Sequence, residues 1–528
     1  MKKLLAMVLA LVMTLSLAVS ANALKADEKI NEDYAEAVAV LDGMGVFKGY
    51  EDGSFKPENK ITRAEVATII YRIYTADVAK NDKSGLYATY NKFSDMAGAG
   101  WAAGYIGYCA NAEFVKGYPD GTFKPSGNVT GYEVLAMILR AVGYDKNNEF
   151  TGADWALNVA KYAEQLGILK NVAKTTDLSA PATRELVAEI LFRAIQSPMV
   201  TYTAAFGYQN VGLNGDKDGK TFKNNVSIGT KNFGLKSTSD TNDKWGRPVK
   251  TWFDSRDTKD GEFNSSASSV YAKIVATPDA SYQVATTECD ICKDLGASKK
   301  ATIAERYDNG DANLKYNKEI SATATKATLG EQGQQIEFYK LDDGDYRMVV
   351  IDTYLAKVTK VVAEKLDKTG HVDIDDYTVL EAYVGGQRGV VTVETLYVAG
   401  NDYEKGDYVL VNINENAKYN VKFAGVVGAQ KYVDILGKAD SFDGAQTAIW
   451  KNGVGHTVEG KDYNDAYTFY LDEAGRTGTV KYTWFLDQFG NLIGDVAIDA
   501  SNYAVLKDIV WEKNDAVATL VYMDGTED

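Results

Sequence analysis

Two histidines, His371 and His456, are all that 528 residues offer to a Ser-His-Asp or Cys-His mechanism. Both lie in turn-like surroundings, Thr369-Gly370-His371-Val372-Asp373 and Gly455-His456-Thr457, and neither G-x-S-x-G nor H-E-x-x-H occurs. Gly215 to Thr221 (GDKDGKT) imitates a phosphate-binding loop, but it is one residue short and sets two acids where phosphate would sit. Cys289 and Cys292 form a single C-x-x-C, suited to a tight local disulfide or to half of a zinc site, whose other half would need the two histidines. The acids of Asp308-Asn309-Gly310-Asp311, Asp342-Asp343-Gly344-Asp345 and Asp373-Ile374-Asp375-Asp376 can ligate calcium; none matches the full EF-hand loop, and Asp-Gly turns give the same pattern. A glycosidase needs only two carboxylates. The expectation is a chain that is not an enzyme and carries no cofactor, with calcium the one ion its acids suit.

What the sequence does carry is repetition. Gly49 to Ile73 (GYEDGSFKPENKITRAEVATIIYRI) returns as Gly117 to Ala141 (GYPDGTFKPSGNVTGYEVLAMILRA), and a shorter third copy ends in Pro181 to Ala194 (PATRELVAEILFRA). In each unit a first helix holds Val38 and Leu41, Ile106 and Cys109, or Ala160 and Ala163 at matching positions, so Cys109 reads as a small core residue. The turns Gly49-Tyr50-Glu51-Asp52-Gly53 and Gly117-Tyr118-Pro119-Asp120-Gly121 follow, with Gly and Asp in the roles turns demand. The second helix opens on a capping box, Thr62 with Glu65 and Thr130 with Glu133; Thr183 keeps the cap, but Leu186 replaces the Glu. Val66, Ile69, Ile70 and Ile73 then fall on one helical face, as do Val134, Met137 and Ile138, and Val187, Ile190 and Leu191. Arg72, Arg140 and Arg193 recur at one position, as do Lys48, Lys116 and Lys170. One helix pair cannot bury its stripe alone, so the copies should pack on one another in an α domain over residues 27–197. Ala79 to Asn91 interrupts the first two copies and is expected to form a surface loop.

Phe93-Ser94-Asp95, Trp101-Ala102, Gly117 to Pro125 and Ile61 to Glu65, with Trp155-Ala156 and Thr183-Arg184 in the third copy, resemble the S-layer homology (SLH) repeat of bacterial surface proteins. The resemblance covers about a third of the chain. It implies a pseudo-threefold helical bundle whose grooves bind secondary cell-wall polysaccharide, often through a pyruvylated sugar that carries a carboxylate. Such a groove needs fixed positive charge, backbone N–H donors and a stacking surface. The family's T-R-A-E arginine carries over to Arg63 and Arg184, where a guanidinium can pair with the carboxylate. Lys48 and Lys116 would add charge; Gly49, Tyr50, Gly117 and Tyr118 belong to the turns, and Trp101 and Trp155 to the W-A elements. Gly131 stands where the second copy's arginine should be, and the third copy has Asn171 to Ala180 (NVAKTTDLSA) in place of the Gly-Asp turn.

The rest sets the frame. Lys2 and Lys3, the apolar run Leu4 to Ala18 and Ala21-Asn22-Ala23 predict a signal peptide over residues 1–23, and no later segment is apolar enough to span a bilayer. A net charge of −16 argues against nucleic acid as a partner. Beyond Pro198, short alternating runs such as Gly389 to Val398 and Asp407 to Asn414 predict all-β, sandwich-like modules. The expected division is thus SLH repeats over 27–75, 92–145 and 150–197, a β-rich module with loops over 198–335, and β modules over 336–440 and 441–528. Two readings follow. The first is a non-catalytic S-layer or cell-wall protein, secreted and anchored by its repeats, with β modules that pack laterally. The second is an SLH-anchored polysaccharide-processing enzyme or glycan-binding adhesin.

Overall fold

A computed structural model describes residues 29–522 except 51, 80–81, 91, 212–225, 258–268, 370–371, 388–389, 420–429, 450–454, 471–480, 499–503 and 513–514. The expected signal peptide, the Gly215 to Thr221 loop and His371 lie outside the described residues. The chain divides into two compact units, Met1–Thr241 with Val249–Val275, and Asn242–Pro248 with Ala276–Asp528.

The described residues of the first unit form the helices α1 (Glu32–Gly43), α2 (Arg63–Thr75), α3 (Ala103–Asn111), α4 (Gly131–Val142), α5 (Trp155–Gln165) and α6 (Arg184–Gln196), with a shorter one to follow. Thr62 and Thr130 cap α2 and α4 in complete capping boxes with Glu65 and Glu133, whereas Thr183 caps α6 without a carboxylate in reply. The apolar faces read from the spacing are the ones buried, and Cys109 sits fully inside, its thiol donating to the Ala67 carbonyl. The helices do not pair within their own copies. α3 packs on α2, α5 on α4 and α1 on α6, while α4 touches both α2 and α6. Each first helix therefore covers the second helix of another copy.

At the centre the three segments entering α2, α4 and α6 hold one another. Ile61 N–H donates to Ala182 O (3.3 Å), Ala182 N–H to Val129 O (2.8 Å) and Val129 N–H to Ile61 O (3.0 Å), closing a ring of backbone hydrogen bonds among fully buried residues. Bridges between Lys60 and Thr183, Thr62 and Asn128, and Thr130 and Pro181 repeat the same cyclic order.

The interrupting segment after α2 is more than a surface loop. Its 3₁₀ turn, Lys83–Tyr87, lies on α3, where a side-chain carbon on Gly104 or Gly107 would collide with the carbonyls of Ser84 and Tyr87. The boundary expected at 198 is not where the compact units divide. A short helix α7 (Ile228–Phe233) and a three-stranded sheet of Leu235–Asn242, Pro248–Asp254 and Val270–Val275 complete the helical unit. The reason is an apolar flank left by α1 and α6. Trp252 covers it, meeting Phe192 edge-on at 5.2 Å and donating from its indole N–H to Glu36 (2.8 Å), which Lys250 also pairs (2.7 Å).

The second unit is mostly β. A mixed six-stranded sheet runs in the order Lys318–Ser321, Lys300–Asp308, Tyr346–Ile351, Gln335–Lys340, Ala280–Tyr282, with Asp311–Asn313 folded back on Lys300–Asp308. The expected break at 335 would cut this sheet through a central strand. Helix α8 (Glu288–Asp294) buries Ile291 and Cys292 in the same core, and Cys289 and Cys292 are unlinked. A five-stranded antiparallel sheet follows, in the order Val390–Ala399, Tyr377–Gln387, Tyr354–Val362, Tyr408–Tyr419, Gln430–Lys438. Its edges approach each other, with Lys431 bonded to Glu394 across them. Asp440–Ile449 then opens a closed barrel completed by Gly455–Val458, Lys461–Tyr470, Leu492–Ala497 and Lys481–Leu486. Where sandwich-like modules are expected, the described strands thus form a mixed sheet, a curled sheet and a barrel, with three two-stranded pairs beside them, the last of Ala504–Glu512 and Asp515–Tyr522. His456, read as a turn residue, lies in a barrel strand, buried between Gln446 (3.0 Å) and Asp465 (3.1 Å).

Trp252→Ala should lower the stability of the helical unit by about 3–5 kcal/mol, the cost of deleting a buried aromatic. Denaturant unfolding followed by helix ellipticity reads this; an unchanged midpoint would mean that the sheet does not support the helices.

Candidate binding junctions

The cyclic packing brings the second helix of one copy against the turn of another. Arg63, the first residue of α2, reaches into the turn of the second copy. Its Nε donates to Phe123 O (2.8 Å), Nη1 to Glu133 Oε1 (2.8 Å) and Nη2 to Lys116 O (3.2 Å), and its plane lies 4.6 Å from the Tyr118 ring and 4.7 Å from Phe123. Arg184, at the start of α6, does the same in the turn of the first copy. Its Nε donates to Phe55 O (2.8 Å), Nη2 to Lys48 O (3.1 Å) and Nη1 to Glu65 Oε1 (3.4 Å), with Phe47, Tyr50 and Phe55 around it. Both arginines are 3% exposed. The sequence reading treats them as cations facing a groove, whereas the structure engages them as staples between copies.

The capping glutamates serve two ends at once. Glu133 Oε2 accepts the Thr130 N–H (2.9 Å), while Oε1 takes both Arg63 and the Tyr118 hydroxyl (2.7 Å). Glu65 Oε2 likewise holds Thr62 (2.8 Å) while Oε1 faces Arg184. Each helix start is therefore tied to the arginine of another copy.

Lys48 and Lys116 also turn out differently from the expectation of added charge. The part they share is the backbone carbonyl that each gives to an arginine. Their ammonium groups diverge: Lys116 pairs with the buried Asp145 (2.9 Å), which Arg140 also holds (2.6 Å), whereas Lys48 reaches the Val78 carbonyl (3.4 Å). Gly49 and Gly117 permit the tight turn, since a side-chain carbon would stand 2.7 Å from Ser54 O or from Thr122 O and the Phe93 ring. The two turns are closed by Tyr50 N–H to Ser54 O (2.7 Å) and Tyr118 N–H to Thr122 O (2.8 Å). Tyr50 stays 38% exposed, and Tyr118 is half-buried. Trp101 is 67% exposed and meets Tyr105 at 6.1 Å, and Trp155 stands edge-on to Tyr132 at 6.3 Å.

Two further residues at the junctions escape the sequence reading. Lys56 lies over the Tyr50 ring (4.4 Å) and Lys124 over Tyr118 (4.3 Å), both with left-handed backbone (φ 53° and 57°). That conformation is uncommon for a residue with a side chain. The signal was present in the recurrent F-K-P of Phe55-Lys56-Pro57 and Phe123-Lys124-Pro125. At the base of the first turn, Asp42 is buried and accepts the Gly49 N–H; burial pushes its carboxyl up to about 6.

The third junction, where α4 meets the segment before α6, lacks these parts. Gly131 replaces the arginine, and Leu186 replaces the glutamate that an arginine there would meet. Leu178 packs on Gly131, within 2.7 Å of where a side-chain carbon would be, and its carbonyl takes the Tyr132 N–H (3.1 Å).

Among the described residues, no group of three or more His, Cys, Asp or Glu side chains is placed to hold a metal ion, and no helix is long and apolar enough to cross a membrane. Residues 28–67 and 92–135 match the S-layer homology domain. The chain is 25% identical over 342 residues to the middle cell wall protein of Brevibacillus brevis, covering 56% of this chain and 31% of that protein. It is 25% identical over 500 residues to a cell surface protein of Thermoanaerobacter kivui, covering 92% and 55%. It is 37% identical over 116 residues to the cellulosome-anchoring protein of Acetivibrio thermocellus, covering 22% and 25%. In each case the match spans less than two thirds of the relative. The two matched segments and these relatives make the chain an SLH-containing bacterial protein of the cell surface.

Arg63→Ala removes one member of a buried pair and should destabilise the helical unit by about 3–5 kcal/mol. Arg63→Lys should recover only a minority of that, because an ammonium cannot hold two carbonyls and a carboxylate in one plane. Thermal unfolding of the two variants tests this. Asp42 should make the unit more stable in acid. Its folded pKa is raised from 3.8 to about 6, so its neutral form stabilises the fold fully below pH 4, and that contribution disappears as pH rises through 6. The difference in unfolding free energy between the parent and Asp42→Asn, measured from pH 4 to pH 7, should shift against the parent by up to about 2 kcal/mol.

Proposed function

We propose that the protein is a non-catalytic surface-layer or cell-wall protein, held by its helical unit to secondary cell-wall polysaccharide and displaying its β modules outward. In this reading the three helix pairs are three S-layer homology repeats around a pseudo-threefold axis, the third being a worn copy beyond the two matched segments. One observation carries it: two junctions repeat the same construction, with a buried arginine fixing a glycine-rich turn so that a tyrosine and turn backbone face outward. Such a fixed, partly aromatic surface suits the flat face of a sugar ring, and neighbouring positive charge suits an acidic substituent such as a pyruvate ketal. The matched cellulosome-anchoring protein, by its name, has an attaching role, which supports the reading. Arg63 and Arg184 act by shaping the turns, Gly49, Tyr50, Gly117 and Tyr118 form them, and Trp101 adds an exposed ring. The β modules supply surface for lateral contact between copies, and the reading invokes no cofactor.

The test is sedimentation of the full secreted chain with purified cell walls, before and after the polysaccharide is extracted. Co-sedimentation with intact walls and its loss on extracted walls is the expected result. Equal binding to both would overturn the reading.

A further inference from the structure

Cys289 and Cys292 lie three residues apart on α8, and the first turn of that helix is pinned to its surroundings. Thr287 caps it by accepting the Asp290 N–H (3.2 Å), while Glu288 N–H donates to Ala327 O (2.9 Å) and Cys289 N–H to Ala324 O (3.1 Å). The buried Glu288 carboxylate pairs with Lys318 (3.3 Å) and accepts the Ser321 N–H (3.1 Å). At the other end the Tyr282 hydroxyl donates to Asp294 (3.0 Å) and the Tyr346 hydroxyl to Leu295 O (3.2 Å). The backbone around the two sulfurs is therefore fixed by the mixed sheet as well as by the helix.

A helical radius of about 2.3 Å and a rise of about 1.5 Å per residue put Cα atoms three residues apart about 5 Å from each other. A disulfide spans Cα separations of about 4.4–6.8 Å, so the pair is within bridging reach. The two thiols differ in access. Cys292 is fully buried in the core of the mixed sheet, its Sγ donating to Ile320 O (3.7 Å), whereas Cys289 is partly exposed. Burial pushes the Cys292 thiol up, and Glu288 and Cys289 nearby add to this. Cys289 is thus the sulfur that a reagent in solvent reaches, and Cys292 the one that follows from within. Among the described residues no third His, Cys, Asp or Glu is grouped with the pair to hold a metal ion, which leaves sulfur–sulfur chemistry as what its spacing serves.

We propose that Cys289 and Cys292 form a reversible dithiol–disulfide site, Cys289 exchanging with small disulfides outside the cell and Cys292 closing the ring. The Cys289 thiol loses its proton and attacks one sulfur of a disulfide RSSR. A bond forms between Cys289 and SR, the S–S bond of the reagent breaks, and one thiolate leaves and takes up a proton. The Cys292 thiol then gives up its proton and attacks the Cys289 sulfur, and the second thiol leaves as RSH. The protein is oxidised by two electrons, and the reagent disulfide is reduced to two RSH. A thiol as reluctant to ionise as Cys292 serves in the second step because that step is intramolecular, at an effective concentration far above that of any free thiol. Helical residues three apart hold their Cβ atoms about 5–6 Å apart, wider than the about 3.5–4.5 Å of a relaxed disulfide. Closing the bond must tighten a turn that the sheet holds, and a strained disulfide is readily reduced. The rigidity that presents the pair thus also makes its oxidation reversible. The inference stands apart from the anchoring reading and uses none of its residues.

The experiment treats the full chain, reduced and freed of reductant, with cystamine as the disulfide. The reagent is removed, the remaining thiols are alkylated in denaturant, and the chain is weighed by mass spectrometry. The parent should go from three alkylated cysteines to one, Cys109, with no cysteamine attached, and peptide mapping should join Cys289 to Cys292. Excess cysteamine should then restore all three. Cys292→Ala, which keeps the buried position apolar, should stop with one cysteamine on Cys289. Cys289→Ser should take up none while its ellipticity shows it folded. A lasting adduct on the parent, a closed pair that excess cysteamine does not reopen, labelling of folded Cys289→Ser at the parent's rate, or a folded parent that does not react would each overturn the inference.

Discussion

The helical unit depends on the ring of three backbone hydrogen bonds among Ile61, Val129 and Ala182. Each bond contributes only about 1 kcal/mol net, but an unmade partner at that depth would cost more. Its larger effect is positional. By fixing the three entry segments it sets Thr62, Thr130 and Thr183 at the helix starts, and hence Glu65 and Glu133 in their capping boxes. Those carboxylates orient Arg184 and Arg63, and the arginines hold the turns. The order of dependence runs from the core outward to the exposed turns.

The same logic explains why the third junction could lose its parts without losing the fold. Arg63 pairs with Glu133 and Arg184 with Glu65; the remaining pair would join residues 131 and 186. Both ends are gone, replaced by Gly131 and Leu186, and Leu178 fills the space. A buried pair missing one member leaves a stranded charge, whereas a pair replaced at both ends by apolar packing is close to neutral. Two departures that look unrelated in the sequence are the two halves of one absent interaction.

Much of the helical unit was legible because its signals are local. A threonine with a glutamate three residues on makes a cap, and apolar residues at helical spacing make a face; both stand in the structure as read. Cys109 was likewise placed correctly from its equivalence to Leu41 and Ala163. What escaped reading is non-local. Spacing shows that Arg63 recurs as Arg184, but not that each arginine enters the turn of a different copy and is buried there. The recurrence of Lys48 and Lys116 reads as charge, when the shared element is a carbonyl. Lys56 and Lys124 were visible in two F-K-P motifs, but their role depends on a left-handed backbone that places them over tyrosines. The break at 198 failed to mark a unit because strand pattern does not tell which helices a strand covers, here through Trp252. The β region showed its class but not its sheet order, since strand neighbours are set by register between distant segments.

The packing of α1 on α6 has a consequence for how such a protein reaches the surface. Arg193 on α6 bonds Glu36 on α1 across 157 residues, so the first helix waits for α6 to supply its main helical neighbour among the described residues. Contacts this distant in sequence form late. A chain threaded outward from its N-terminus would carry α1 through the export machinery unpaired, with the ring still open. The helical unit would then mature only after the third helix pair had emerged on the far side of the membrane.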